Sequence, residues 1–372
     1  MRKILKRIML SFCLILVAVL LFWLDIEGVF LSEISSTKGR ISNSPNFSNG
    51  LAKNIENTAI MVRNDKFKSS EKNEVRRMFF NPNNPKIVPS IKSDLKNQNG
   101  DFFAWLGHSS ILFKMQGVSV LIDPLFENSA SPVPFVVSPF RGSAIFSVSD
   151  LPKIDYLIIT HNHYDHLNRT SIKKLAKKGE IKKVFVPLGV GKYLKSWGFD
   201  ENQIFEMDWD ESLEITPNLQ ICCLSARHFS GRAMFDQRKS LWASFLLDFK
   251  NTNFKVYFGG DSGYGGHFRK IGEKFGSINL AFLENGQYDK EWSQIHMFPS
   301  QTLQAATDLK TRILMPIHNS KYRISYHAWN APLRDITKIY ENSNFDFTLI
   351  TPKIGQIVPP DLKNFRSEKW WE

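Results

Sequence analysis

Hydrophobic and polar positions divide the chain into three textures. Between Ile8 and Leu24 no charged residue occurs, and Arg2, Lys3, Lys6 and Arg7 stand just before that run. The run is at the short end of the roughly 17–25 residues that cross a bilayer as a helix. Signal-peptide cores are shorter and end in small residues at a cleavage site. Here Phe22, Trp23 and Leu24 lead into Asp25 and Glu27, with no Ala-X-Ala, and Cys13 follows Phe12 where a lipobox needs a small residue. Residues 1–30 are therefore expected to form an uncleaved transmembrane anchor, its basic tip cytoplasmic and the rest of the chain beyond the membrane. From Ser32 to Gly100 the chain is rich in Asn, Ser and Lys, and its hydrophobic periodicity is weak. Residues 31–100 read as a linker or surface wrap, with Glu74–Phe80 helical.

From Asp101 onwards, short apolar runs alternate with amphipathic stretches. Phe102–Met115 and Val118–Ile122 read as a hairpin turning at Gln116-Gly117. Further strands are expected at Ile154–Thr160, Val184–Pro187, Leu219–Leu224, Leu241–Phe249, Phe254–Phe258, Ile278–Leu283 and Ile313–Ile317. Helices are expected at Asp165–Lys178, Val190–Trp197, His267–Phe275, Thr302–Leu309 and Ala331–Tyr340. Two sheets with helices on their outer faces fit this order, an α/β architecture. One domain over residues 101–360 suffices, with a tail at 361–372.

Composition changes the picture in two places. The net charge is +12, but residues 1–100 hold 16 Lys and Arg against 8 Asp and Glu, while the remainder holds 32 against 28. A basic arm beside an anchor suits anionic lipid. A nucleic-acid enzyme carries its basic face on the folded domain. A membrane partner is expected, and no nucleic acid. The cysteines are Cys13, Cys222 and Cys223; the last two are adjacent, point to opposite faces of a strand, and exclude a disulfide framework.

The chemistry concentrates in His161-Asn162-His163-Tyr164-Asp165-His166, which closes an apolar strand and opens a helix. Three imidazoles and a carboxylate at this spacing suit zinc, which takes nitrogen and oxygen ligands in compact geometry. In an extended turn His161 and His163 point the same way and grip one ion, while Asp165 and His166 face a second. A plain helix cap at Asp165 explains one residue and leaves the imidazoles unexplained. Of the nine His, two more follow apolar strands: His228 after Leu219–Leu224 and His318 after Ile313–Ile317. Asp261 follows Val256–Phe258 in Gly259-Gly260-Asp261-Ser262-Gly263, where glycines let the backbone approach closely.

In order and spacing, His161, His163, Asp165, His166, His228, Asp261 and His318 resemble the ligands of binuclear metallo-β-lactamase-fold hydrolases, over roughly residues 100–358. Trp105-Leu106-Gly107-His108-Ser109-Ser110, Leu121-Ile122-Asp123-Pro124, Arg227–Arg232 and Gly260–Tyr264 narrow the resemblance to the branch of N-acylphosphatidylethanolamine-hydrolysing phospholipase D and its bacterial relatives. The resemblance implies an αββα sandwich and two Zn2+ ions. It places one ion on His161, His163 and His228, the other on Asp165, His166 and His318, with Asp261 shared. Such a pair activates water for hydrolysis, with Asp165 and Asp261 handling its proton; iron or manganese is also compatible with the ligand types. The resemblance puts His296 over the metals against the substrate phosphate; by itself it reads as a loop His. Arg232 is expected to meet a phosphate, the bland alternative being an exposed loop Arg, and His327 is a candidate rim contact. His108 reads as a core or supporting residue within a strand, and His267 as a helix start. Relatives commonly continue after the last ligand His with Trp-Gly, and this chain has Asn319-Ser320.

The substrate implied is a phospholipid, cut to phosphatidic acid and an N-acylethanolamine. A lactonase or other ester hydrolase is the alternative within the fold. A non-catalytic, membrane-tethered metal-binding protein is the alternative outside it. A superfamily nuclease is disfavoured, because the 32 residues between His228 and Asp261 leave no room for a large nucleic-acid-binding insert.

Overall fold

The computed structural model describes residues 2–26, 31–62, 85, 87–126, 129–131, 136–232 and 236–372. The helix expected over Glu74–Phe80 lies outside the described residues. Helix α1 (Arg2–Ile26) contains the stretch Lys3–Leu21, of mean hydropathy 2.5 and long and apolar enough to cross a bilayer. A short helix, α2 (Arg40–Asn43), and a hairpin of β1 (Phe47–Ser48) and β2 (Leu51–Ala52) follow.

The first half of the body runs β3 (Phe102–Trp105), β4 (Ile111–Met115), β5 (Val118–Ile122), β6 (Tyr156–Ile158), α3 (Arg169–Lys178), β7 (Lys183–Pro187), α4 (Gly191–Ser196) and β8 (Ile204–Met207). The second half runs β9 (Ser212–Thr216), β10 (Leu219–Leu224), β11 (Ser244–Phe249), β12 (Phe254–Phe258), α5 (His267–Phe275), β13 (Ile278–Glu284), α6 (Pro299–Asp308), β14 (Thr311–Ile317), α7 (Ala331–Glu341) and β15 (Thr348–Leu349). Strand β16 (Ile357–Val358) returns to the first sheet beside β3. The result is two seven-stranded sheets, ordered β16-β3-β4-β5-β6-β7-β8 and β15-β14-β13-β12-β11-β10-β9. Hairpin-linked strands pair antiparallel in each sheet; β5 to β8 and β12 to β15 pair parallel. Parallel neighbours need crossovers, which is where the longer helices sit.

Alternation along the strands sorts side chains between the sheets and the outer faces. Leu219, Ile221 and Cys223 of β10 enter the core between the sheets, with Phe103, Phe113, Phe258 and Phe282. Cys222 and Leu224 point the other way, against Phe268 of α5 and Leu303 of α6. On the far side, Leu157, Val184 and Val186 meet Ile172 and Leu175 of α3. Helices cover both outer faces, as the α/β sandwich requires.

Three expectations need correction. The single strand over Phe102–Met115 is interrupted by a turn at Leu106–Ser110, with Gly107 at φ +90° and His108 at φ +55°. Apolar residues flank that turn on both sides, so periodicity does not show it. His108 therefore lies in a turn and not within a strand. Helix α3 begins at Arg169, where the Asn168 side chain accepts from Ser171 N–H and caps it. Asp165 and His166 lie in the loop before the helix.

Residues 31–62 are hydrogen-bonded to the body of the chain. Arg40 donates to the Glu206 carbonyl (2.7 Å) and pairs with Glu211 (2.6 Å), and Asn46 Nδ2 donates to Asp208 (2.7 Å). The Ala52 and Val62 amides donate to the Arg238 and Glu291 carbonyls, both at 2.7 Å. The last residues are also packed: Trp370 and Trp371 are buried, and Trp370 Nε1 donates to the Thr351 carbonyl (2.9 Å).

Candidate metal centre

Every expected ligand emerges beyond the carboxyl end of a strand: the 161–166 loop after β6, His228 after β10, Asp261 after β12 and His318 after β14. Gly260 (φ +60°) makes the last turn before Asp261, and a Cβ there would lie 2.9 Å from the Thr160 Cβ. A side chain at this position would push Asp261 away from the His161 loop.

The donors meet in two groups. In the first, His163 Nδ1 lies 2.9 Å from His161 Nε2 and 3.2 Å from His228 Nε2, and Asp261 Oδ2 lies 3.9 and 3.8 Å from those two Nε2 atoms. In the second, His166 Nε2 lies 3.5 Å from Asp165 Oδ2 and 3.2 Å from Asp261 Oδ1, and His318 Nδ1 is 3.2 Å from the same Asp261 oxygen. Asp261 thus presents one oxygen to each group.

Proton bookkeeping shows why these atoms suit cations. The His228 Nδ1–H donates to the Ile295 carbonyl (3.0 Å), and the His166 Nδ1–H to Asp123 Oδ2 (2.8 Å). Thr160 Oγ1 gives its hydrogen to Asp123 Oδ2 (2.7 Å) and so accepts from His161 Nδ1–H (3.0 Å). In the neutral form of these rings each Nε2 carries a lone pair turned into the site, and His166 reaches that form only by giving up a proton. His166 Nε2 and Asp261 Oδ1 are buried with no hydrogen-bond partner among the described residues. Converging lone pairs and carboxylates without partners repel one another unless a positive charge sits among them.

The titration shifts agree for four of the five rings, and His166 is the exception. Burial, then the neighbouring histidines, hold His161 and His228 well below the ordinary imidazole value; burial takes His163 to about 3. Burial and His108 lower His318 likewise. For His166, burial acts downward but Asp261, Asp165 and Asp123 outweigh it and raise the ring well above the ordinary value. Burial lifts Asp261 to about 6, whereas for Asp165 the burial effect is reversed by His166 and His108 and the carboxyl falls well below its usual range.

Residues 119–319 match the family model of the beta-lactamase superfamily domain. The chain belongs to the metallo-β-lactamase superfamily. It is a metal-dependent hydrolase of that superfamily. It is 36% identical over 273 residues to an uncharacterized protein of Mycobacterium tuberculosis, covering 72% of this chain and 71% of that one. It is 30% identical over 276 residues to N-acyl-phosphatidylethanolamine-hydrolyzing phospholipase D 1 of Caenorhabditis elegans, covering 71% and 77%. The metallo hydrolase Igni18 of Ignicoccus hospitalis shares the fold, with a TM-score of 0.53 at 20% identity over 69% of this chain and 97% of that one.

Around this superfamily site the structure separates the remaining candidates. His108 Nε2 is 2.8 Å from Asp165 Oδ2, its carbonyl accepts from His318 N–H (2.9 Å), and Ser109 Oγ lies 2.9 Å from His318 Nδ1. The 106–110 turn therefore supports two donors of the second group. His296 is nearly buried, its ring 5.2 Å from that of His228 and stacked at 5.4 Å on His318.

Arg232 has a different place from the one expected. It is buried, NH1 donates to the Asn162 (2.9 Å) and Leu167 (2.6 Å) carbonyls, and the guanidinium lies 4.0 Å from the Tyr164 ring centroid. It braces the loop that carries His161 to His166, and these bonds aim it at the protein and not at a phosphate. His327 is likewise engaged: Nε2 accepts from Gln287 N–H (2.8 Å) and Nδ1 donates to the Ala328 carbonyl (2.9 Å). Neither ring nitrogen remains for a substrate. His267 bonds Ser262 (3.1 Å), and Asn319 is buried behind His318 with its amide on the Ile317 carbonyl (2.9 Å).

The supporting roles of Asp123, Thr160 and Ser109 are absent from what the sequence alone showed. So is Asn54, whose amide clamps the His228 backbone, donating to its carbonyl (2.8 Å) and accepting from its N–H (3.0 Å).

Proposed function

We propose that the chain is a dizinc phosphodiesterase that cleaves N-acylphosphatidylethanolamine-type phospholipid, held at the membrane by α1. The observation that carries this reading is the likeness, across most of both chains, to the nematode phospholipase D, in a protein whose own donors converge completely. His161, His163 and His228 would hold one zinc, Asp165, His166 and His318 the other, and Asp261 would face both. Bound there, two zinc ions supply an activated water and Lewis-acid stabilisation of the charge developing on the phosphoryl group.

The chain's own residues do the rest. Asp165, fixed by His108, and Asp261 orient the water and take its proton. His296, stacked on His318 beside the donors, would meet a phosphoryl oxygen. With Arg2, Lys3, Lys6 and Arg7 kept on the cytoplasmic side, α1 would place the domain against the outer leaflet.

Purified full-length protein is expected to carry about two zinc ions per chain and to release phosphatidic acid and an N-acylethanolamine from N-acylphosphatidylethanolamine. Turnover of a lactone without turnover of the phospholipid would replace this reading with an ester hydrolase. A metal-free protein inactive on both would support the non-catalytic alternative.

The two metals are expected to leave in order as the pH falls. Without metal, His166 keeps a proton through neutral pH because its value is raised, so metal must displace that proton, and binding weakens as pH drops. His163 at about 3, with His161 and His228 also lowered, adds no imidazole competition in the first site, and the shared Asp261, at about 6, burdens both sites alike. Metal content measured after equilibration between about pH 7 and 4 should fall in two steps, the first abolished in Asp165→Asn. Simultaneous loss of both metals would contradict the assignment.

A further inference from the structure

Glu284 is a buried carboxylate at this centre that belongs to neither donor group. It closes β13 opposite Ile317, the residue before His318, and its side chain is completely buried. With Asp261, His296 and His318 it forms a third cluster of donor atoms within 4.8 Å of one another. Both of its oxygens are committed, however. Oε1 accepts from Met297 N–H (2.9 Å), and Oε2 shares one proton with His296 Nδ1 (2.7 Å). Its backbone carbonyl accepts from Thr302 Oγ1 (3.0 Å), which ties the end of β13 to the first turn of α6. A carboxylate so occupied is shaped to hold a ring, not a cation.

The ring it holds is tied to the metal centre on both sides. Ile295, the residue before His296, accepts the Nδ1–H of His228 (3.0 Å), and the His296 ring stacks on His318 with an interplanar angle of 14°. Residues 295 to 297 thus bind, in turn, a donor of the first group, Glu284 by side chain, and Glu284 by backbone. Rotation of the His296 ring would break the Glu284 bond and leave a buried carboxylate oxygen unpaired.

We propose that Glu284 is a positioning residue: it fixes the tautomer and direction of His296 so that Nε2 is the nitrogen offered to the substrate above the metals. This inference rests on the phosphodiesterase reading for its substrate, but not for its geometry, and the test separates the two.

The test uses full-length protein, with bis(4-nitrophenyl) phosphate as the kinetic probe. Glu284→Gln is expected to lower kcat at least about 10-fold, the usual effect of removing the partner that orients an active-site imidazole, with KM and metal content unchanged. In a His296→Ala background the same substitution should cost nothing further. Loss of metal in Glu284→Gln, or full additivity of the two losses, would overturn the proposal, since Glu284 would then act as a ligand or as packing. Proton NMR of the wild type gives an independent reading, which holds even if Glu284→Gln fails to fold. A far-downfield resonance from the bonded Nδ1–H is expected, and it should vanish in His296→Ala. Its absence from the wild type overturns the dyad even in a protein that hydrolyses the probe. Its presence in a protein that hydrolyses no phosphodiester upholds the dyad and defeats only the substrate reading.

Discussion

Asp261→Asn is expected to abolish turnover, by more than about 100-fold, because it removes a donor shared by both halves of the centre and not one of its outer supports, whose loss alone costs about 10–100-fold. The amide is isosteric but keeps one acceptor oxygen and adds an N–H donor. Whichever way it turns, that donor faces either His161 and His228 or His166 and His318, all within 3.9 Å of the present carboxylate. Metal analysis should show one site lost. The metal-free protein should respond in the opposite sense. Burial raises the Asp261 carboxyl to about 6 in the folded chain, above its unfolded value of about 3.9. A carboxyl raised on folding destabilises the fold fully above the folded value and not at all below the unfolded one. Metal-free Asp261→Asn should therefore melt higher than metal-free wild type at pH 7, and the gain should disappear near pH 4. Equal melting temperatures at pH 7, with metal removed, would show that the carboxylate is not held at the cost this geometry implies.

How far the sequence anticipates this centre depends on where each residue's partner lies in the chain. Strands Leu219–Leu224 and Phe254–Phe258 were legible to the residue, because period-two alternation records which side chains face the other sheet. The donors were legible because a His or Asp just beyond an apolar strand has few other reasons to be there. Supports were not. Glu284 and His296 are 12 positions apart, and Asp123 and His166 are 43 apart; the path of the loop after β13 joins the first pair, and the parallel register of β5 and β6 joins the second. Arg232 failed for a related reason. Its loop position suggests solvent, and only the folded structure shows the Tyr164 face and the two carbonyls that enclose it. Asn54 lies in a segment with the composition of a linker, yet its amide secures His228. Composition reports which residues can go without a core, not which backbone they hold.

Asp123 shows how much such a hidden support can carry. Its Oδ1 accepts from Thr160 N–H (2.8 Å), and its Oδ2 accepts from both Thr160 Oγ1 (2.7 Å) and His166 Nδ1 (2.8 Å). Through Thr160 it sets the tautomer of His161, and directly it sets that of His166, so one buried carboxylate orients a donor in each group. Asp123→Asn keeps the acceptor for Thr160 N–H but turns an NH2 group toward the other two. His166 can then satisfy that donor only with an Nδ1 lone pair, which moves its proton to Nε2, against Asp261 and Asp165. Thr160 Oγ1, now accepting from the amide, is free to donate to His161 Nδ1 and drive the same exchange there. Both nitrogens would lose the lone pair a metal requires. Affinity for metal should fall about 10–100-fold at each site, measured by competition with a chromogenic chelator, and turnover should fall with it. Thr160→Val breaks only the branch to His161, so it should weaken one site and spare the other. Unchanged metal affinity in Asp123→Asn would mean that the ligand tautomers are set elsewhere. A loss confined to one site would mean that the Thr160 relay does not reach His161.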